Sequence, residues 1–160
     1  MCGIFLYKGQ KQDWDSLESD INRIGYRGPD NTHHEMIGND VLFAFHRLAI
    51  MGTTEMGDQP MKHPNDASLT LICNGEIYNY KDLADKYGFN LVTGSDCEII
   101  LLLFKKLGIE KTVKELDGVF MFVIHEAKTG LLFAARDPMG VRPGFMGRDV
   151  DEIMIASEEK

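Results

Sequence analysis

The sequence has no apolar stretch long enough to span a membrane as a helix, so nothing in it reads as a transmembrane segment. It has no run of basic residues either. Seventeen Lys and Arg stand against twenty-five Asp and Glu, a net charge of −8. That balance argues against nucleic acid and anionic membranes as partners. Cysteine is scarce: Cys2, Cys73 and Cys97 make an odd number, and none falls in a C-x-x-C pair. A disulfide framework and a zinc knuckle are thereby disfavoured, and a reducing cytoplasm is the expected setting. The start, Met1 to Tyr7, lacks a basic leader, and its apolar run is too short for a signal peptide. Repeats, low-complexity tracts and Pro/Ser/Gly linkers are also missing, so the 160 residues are read as one domain. There is no G-x-x-x-x-G-K-[ST], no G-x-G-x-x-G and no SGGxDS loop, hence no recognisable ATP-binding device.

What is present is ordinary globular material, 44% hydrophobic and 26% charged. Residues 2–7, 41–46, 68–73 and 153–156 read as strands, and 119–125 with 131–136 as a hairpin around Lys128-Thr129-Gly130. Trp14, Leu17, Ile21 and Ile24 recur at helical spacing ahead of Gly25. A short helix follows Asn79, with Leu83, Ala84 and Tyr87 on one side and Gly88 as its stop. Ser95 with Glu98 looks like a capping box for an almost wholly apolar helix ending near Gly108, and Ile109, Val113 and Leu116 suggest another helix. Clustered strands with a central block of helices point to an α+β fold with antiparallel sheets.

Four places could carry chemistry. Removal of Met1 would make Cys2 the first residue, joining a thiol to a free α-amine; their reference pKa values, about 8.5 and about 7.7–8.0, both lie near neutrality. Such a residue is nucleophile and general base at once. Alternatively, Cys2 is a small buried hydrophobe in the first strand. Asn74-Gly75-Glu76 follows an apolar strand. It reads as a tight turn, or as a side-chain amide and a backbone N–H aimed at one oxyanion. Arg47, closing the strand that leads to His46-Arg47-Leu48, is either a solvated end or a carboxylate clamp. Asp96, in the first turn of the apolar helix, either complements the helix dipole or receives a substrate ammonium. His33-His34 lacks a metal-ligand spacing, and Arg136-Asp137-Pro138 reads as loop architecture with a possible Arg–Asp ion pair.

Taken together, Met1-Cys2-Gly3-Ile4, Arg27-Gly28-Pro29-Asp30, His46-Arg47-Leu48-Ala49-Ile50, Asn74-Gly75-Glu76-Ile77-Tyr78-Asn79, Gly94-Ser95-Asp96-Cys97-Glu98 and Arg136-Asp137-Pro138-Met139-Gly140-Val141-Arg142-Pro143 resemble the class II glutamine amidotransferase domain, in its asparagine synthetase branch. They occur in the family's order across the whole chain. The resemblance implies an N-terminal nucleophile hydrolase fold, a four-layer α/β/β/α sandwich of two antiparallel sheets between helices. It implies hydrolysis of glutamine to glutamate and ammonia. Cys2 is then the nucleophile, Asn74 and Gly75 the oxyanion hole, Arg47 the α-carboxylate clamp, and Glu76 and Asp96 the acceptors of the α-ammonium. Leu48, Ala49, Ile50 and Met51 line the pocket.

No metal or organic cofactor is implied at this site. ATP and magnesium belong to a synthetase domain or subunit that uses the ammonia to make asparagine and is expected to be absent from residues 1–160. Two local departures from the pattern are Ala49, where serine is usual, and Gly144, where leucine is expected, the latter predicting a looser last hairpin. A non-catalytic module that binds glutamine or a partner in the same pocket remains the competing reading. Where Met1 is retained, the α-amine belongs to Met1, Cys2 carries only an amide nitrogen, and the expected activity is lost.

Overall fold

The computed structural model describes residues 1–10, 14–48 and 57–159, with Trp14 described by its backbone alone. Four strands carry buried, β-branched and aromatic runs and form the interior of two sheets. These are β1 (Gly3–Lys8), β3 (Val41–Arg47), β5 (Asp66–Ile77) and β6 (Gly118–Glu126). The edge strands are β2 (Asn31–Ile37), β4 (Met61–His63), β7 (Leu131–Arg136) and β8 (Phe145–Arg148), and the short β9 (Ile153–Ala156) lies between β1 and β8. One sheet has the order β2-β3-β1-β9-β8 and the other β4-β5-β6-β7, and every pairing is antiparallel.

Three clusters of apolar side chains define the layers. Helix α1 (Trp14–Arg23) lays Leu17 and Ile21 on Phe5, Tyr7, Leu42 and Ala44, the outer face of the first sheet. The opposite faces of the same strands carry Ile4, Leu6, Phe43 and Phe45, which meet Ile72, Met121 and Val123 of the second sheet. This is the two-residue alternation of a strand buried on both faces. The outer face of the second sheet, with Leu71, Cys73, Phe120 and Phe122, is covered by α2 (Tyr80–Tyr87), α3 (Glu98–Leu107) and α4 (Ile109–Glu115). The result is helix, sheet, sheet, helix: an α+β four-layer sandwich, as expected from the sequence. All of α3 from Glu98 to Phe104 is buried, as its composition predicts.

Several local expectations need correction. Asn74-Gly75 is not a turn; β5 runs through it to Ile77, pairing Gly75 with Phe120 and Glu76 with Val119. Glycine is required there by close approach: an added Cβ would lie 2.5 Å from the Val119 carbonyl oxygen and 2.7 Å from Phe120 Cα. Nor does Ser95 form a reciprocal box with Glu98. Ser95 Oγ accepts the Cys97 N–H, while the fully buried Glu98 carboxylate accepts the Val92 and Thr93 N–H groups and the Thr93 hydroxyl. A buried carboxylate needs several donors, and the preceding loop supplies more than one helix-end N–H could.

Arg136 and Asp137 do not pair with each other. Arg136 donates to the Gly140 and Arg142 carbonyls, and Asp137 accepts the Phe120, Val141 and Arg142 N–H groups. Gly144 does not leave a hole. A Cβ at 144 would sit 2.7 Å from Met121 Sδ, so the methionine of β6 fills the volume that a side chain at 144 would take.

Candidate active site

The residues singled out in the sequence come from the ends of β1 and β3, the middle of β5 and the entry to α3. Cys2 immediately precedes β1, and its half-buried thiol exchanges hydrogen bonds with Leu48 just past β3: Sγ donates to the Leu48 carbonyl at 3.5 Å and accepts its N–H at 3.4 Å. Arg27 fixes the backbone of the same residue, its Nε donating to the Cys2 carbonyl at 3.1 Å while Nη1 pairs with Glu158 at 3.0 Å. Burial is the main influence on the Cys2 thiol and pushes its pKa up; the Leu48 N–H and the nearby terminal amine pull the other way. At neutral pH the sulfur is therefore protonated and needs a base to become a nucleophile.

Cys2, Arg47, Leu48, Asn74, Gly75, Glu76 and Asp96 line one cleft, together with Met1, Asp58's neighbours Gly57 and Gln59, and Arg142. Ala49, Ile50 and Met51 lie outside the described residues. Asn74 is 2% exposed, and its amide nitrogen, fully buried, has no hydrogen-bond partner among the described residues. An unmet buried donor costs roughly 1–3 kcal/mol. In a cleft beside a thiol, it is the arrangement that an incoming oxyanion would satisfy.

The cleft is lined by groups of both charges. Arg47 is buried and pairs with Asp58, which also accepts from Asn31. Its planar fork of donors has the shape that suits a carboxylate. Asp96, 6% exposed and also lining the cleft, accepts the Ile77 N–H at 2.6 Å and forms no ion pair among the described residues. Burial, reinforced by the Glu76 charge, raises the Asp96 pKa. Glu76 is half-exposed and already held by Arg142 Nη2 at 2.8 Å.

Arg142, Asp58 and Gln59 were not singled out as site residues in the sequence. Arg142 stands in the Arg136–Pro143 motif but arrives at the cleft only because Asp137 gathers three backbone N–H groups and folds that loop back. Asp58 and Gln59 carried no local signal.

The family model of the glutamine amidotransferase domain matches residues 1–160. The chain belongs to this family. A probable glutamine-hydrolysing asparagine synthetase of Acanthamoeba polyphaga mimivirus is 44% identical over 168 aligned positions, covering 100% of this chain and 30% of that protein. The asparagine synthetase of Gallus gallus is 39% identical, again over 100% of this chain and 29% of its own length. A putative asparagine synthetase of Methanocaldococcus jannaschii is 34% identical, with 34% of its length covered. The chain thus spans about a third of the curated relatives it matches. Among solved structures, glutamine phosphoribosylpyrophosphate amidotransferase from B. subtilis superposes with a TM-score of 0.78 at 22% identity, covering 98% of this chain and 42% of that one. This likeness establishes the shared fold. In this glutamine amidotransferase domain the cleft is lined by residues of β3 and β5 together with those next to β1, β3 and α3, and no helix among the described residues is long and apolar enough to cross a membrane.

Proposed function

We propose that this domain hydrolyses the side-chain amide of L-glutamine to glutamate and ammonia through a thioester on Cys2. The observation that carries the reading is the buried Asn74 amide nitrogen, without a hydrogen-bond partner among the described residues, in a cleft that the Cys2 thiol, the Arg47 guanidinium and the Asp96 carboxylate also line. A free amino acid is a zwitterion and needs both clamps: Arg47 takes the α-carboxylate, Asp96 and then Glu76 the α-ammonium. Leu48 lines the same cleft.

With Met1 removed, the Cys2 α-amine accepts the thiol proton. Sulfur attacks the amide carbon, and the carbonyl electron pair moves to oxygen under the Asn74 amide and the Gly75 N–H. Collapse breaks the C–N bond, and the ammonium delivers its proton to the leaving nitrogen, giving ammonia. Water, deprotonated by the same amine, then cleaves the thioester; glutamate leaves and the sulfur is reprotonated. The atoms balance without metal or organic cofactor. The ammonia is passed to a synthetase site elsewhere, where ATP and magnesium support asparagine formation. That part of the reading rests on the resemblance to the asparagine synthetase branch, and the longer relatives are named glutamine-hydrolysing asparagine synthetases. The three free cysteines fit a cytoplasmic setting.

The direct test is incubation of Met1-free protein, verified by intact mass, with glutamine. Ammonia and glutamate are expected in equal amounts. Met1 itself lines the cleft, so a second reading, a module that binds glutamine without turning it over, has a physical basis in the unprocessed chain. Glutamine binding by the processed protein without product would establish that module. Neither binding nor product overturns both readings.

The raised Asp96 pKa adds a pH signature. An ammonium ligand favours the carboxylate, so glutamine binding should expel a proton, and KM should rise as pH falls through the Asp96 titration. Asp96→Asn is expected to raise KM roughly ten- to hundred-fold, the worth of a charged hydrogen bond, and to abolish that pH dependence. Because folding raises this pKa, the group stabilises the fold below its unfolded value and that stability is lost as pH rises through the folded value. The Asn variant should therefore melt at or above the wild-type temperature at neutral pH. Steady-state kinetics across pH and thermal melts check both; a variant with unchanged KM removes Asp96 from the site.

A further inference from the structure

We propose that Gln59 is a positioning residue for the oxyanion hole: its side-chain amide stands in for a neighbouring strand beside Cys73 and so sets the direction of the Asn74 amide and the Gly75 N–H. The inference rests on the glutaminase reading above.

The argument starts from the two edges of β5. On one edge β6 accompanies it from Leu69 to Ile77. On the other, β4 pairs it only as far as Leu71, opposite Met61. In an antiparallel ladder, successive residues direct their backbone groups to opposite edges. Phe120 spends its N–H and C=O on the β7 side, donating to Asp137 Oδ2 at 3.3 Å and accepting the Asp137 N–H at 2.8 Å. The Gly75–Phe120 pair is therefore the narrow, non-bonded kind, consistent with the lack of room for a Cβ at 75. Gly75 must direct its N–H and C=O to the edge away from β6. Cys73, two residues earlier, faces the same edge.

Gln59 meets Cys73 there. Its Oε1 accepts the Cys73 N–H at 2.5 Å, and its Nε2 donates to the Cys73 carbonyl at 3.2 Å. Both residues are buried, at 5% and 2% exposure. An N–H and a C=O engaged together by one partner is the pattern of a strand pair, made here by a side chain. The consequence is geometric. A backbone strand continuing β4 in register would pair Cys73 and then Gly75, consuming the N–H that the oxyanion needs. A single amide ends the ladder at Cys73, holds that edge in place, and leaves the next N–H on it facing the cleft. Asn74, between the two, is bonded to β6 through the opposite pair with Met121 and is fixed by the same clamp. The adjacent residue Asp58 pairs with Arg47, so one short segment braces the carboxylate clamp and the oxyanion edge together.

A purely structural role, satisfying two buried backbone groups, predicts lost stability without specific coupling to catalysis. The experiment uses the 160-residue chain freed of Met1. Gln59→Leu and Gln59→Glu are compared with wild type and on an Asn74→Ala background, reading kcat, KM and inhibition by the γ-aldehyde analogue of glutamine, whose tetrahedral adduct with Cys2 places its oxygen in the hole. Gln59→Leu is expected to lower kcat roughly ten- to hundred-fold with KM within about threefold, and to weaken the aldehyde by the same factor as kcat/KM. In the Asn74→Ala background its further cost should be under about threefold, because the two act as one unit. Equal losses in both backgrounds, an effect on KM alone, or failure of both variants to fold would assign Gln59 to the scaffold and overturn the proposal. Wild-type protein that binds the aldehyde but releases no ammonia overturns the glutaminase reading itself, and the inference with it. Normal wild-type turnover with additive variants sinks only the inference.

Discussion

Cys2→Ala, in a chain freed of Met1, is expected to fold, to bind glutamine and to release no ammonia above background. The substitution removes one sulfur from a half-buried position whose hydrogen bonds to Leu48 are long and weak, at 3.4 and 3.5 Å. The Arg27 bond to the residue-2 carbonyl survives, because it involves backbone. Stability should thus change by no more than about 1 kcal/mol, the scale of one ordinary hydrogen bond. Activity has no comparable fallback: the α-amine remains, but without sulfur there is no nucleophile for it to activate and no thioester for water to cleave. Wild-type protein that keeps Met1 should give the same null result for a different reason. Its sulfur is present, but nitrogen 2 is an amide and accepts no proton, while burial holds the thiol protonated. Intact mass, calorimetric binding of glutamine and coupled ammonia release distinguish the three samples. Turnover by either the Ala variant or the fully Met1-bearing chain ends the N-terminal nucleophile mechanism.

Asn74→Ala is expected to lower kcat by about 10²–10³-fold with a smaller change in KM, the usual cost of one oxyanion donor. The ground-state carbonyl gains little from this amide; the charged tetrahedral oxygen gains much. The stability readout is equally informative. Since the Asn74 amide nitrogen is buried without a partner among the described residues, its removal breaks no hydrogen bond at that atom and lifts a desolvation cost. A melting temperature within a few degrees of wild type, alongside a collapse in kcat, is the expected pair. A variant that loses stability and activity in proportion would mark Asn74 as a structural residue.

Much of this site was legible along the chain because its parts sit in short contiguous motifs. Cys2, Arg47, Asn74-Gly75 and Asp96 each carry a chemistry visible from residue type, and the structure brings all of them to one cleft. The helices α2 and α3 were equally plain, since apolar spacing and glycine stops are local signals. Asn-Gly misled for a physical reason. The pair favours turns when its neighbours leave it free, but β6 lies against this one so closely that only glycine fits, and the strand continues through it. Glu98 misled likewise, because cap chemistry is judged over four residues whereas its carboxylate found better donors in the loop before the helix.

The one-dimensional chain determined the identity of the groups: a cysteine behind a removable methionine, an amide, a cation and an anion in fixed order, together with the alternation that makes each sheet two-faced. Three-dimensional packing decided how those groups are used. It chose which strand ends converge, left Asp96 without an ion partner among the described residues while giving Glu76 to Arg142, and put Met121 where a side chain at 144 would lie. It also set Gln59 against Cys73, fourteen positions away. Residue type dictates what a group can do, and periodicity dictates which face it takes. Which distant partner meets it depends on sheet order and register, and these emerge only when both sheets bury their shared interior at once.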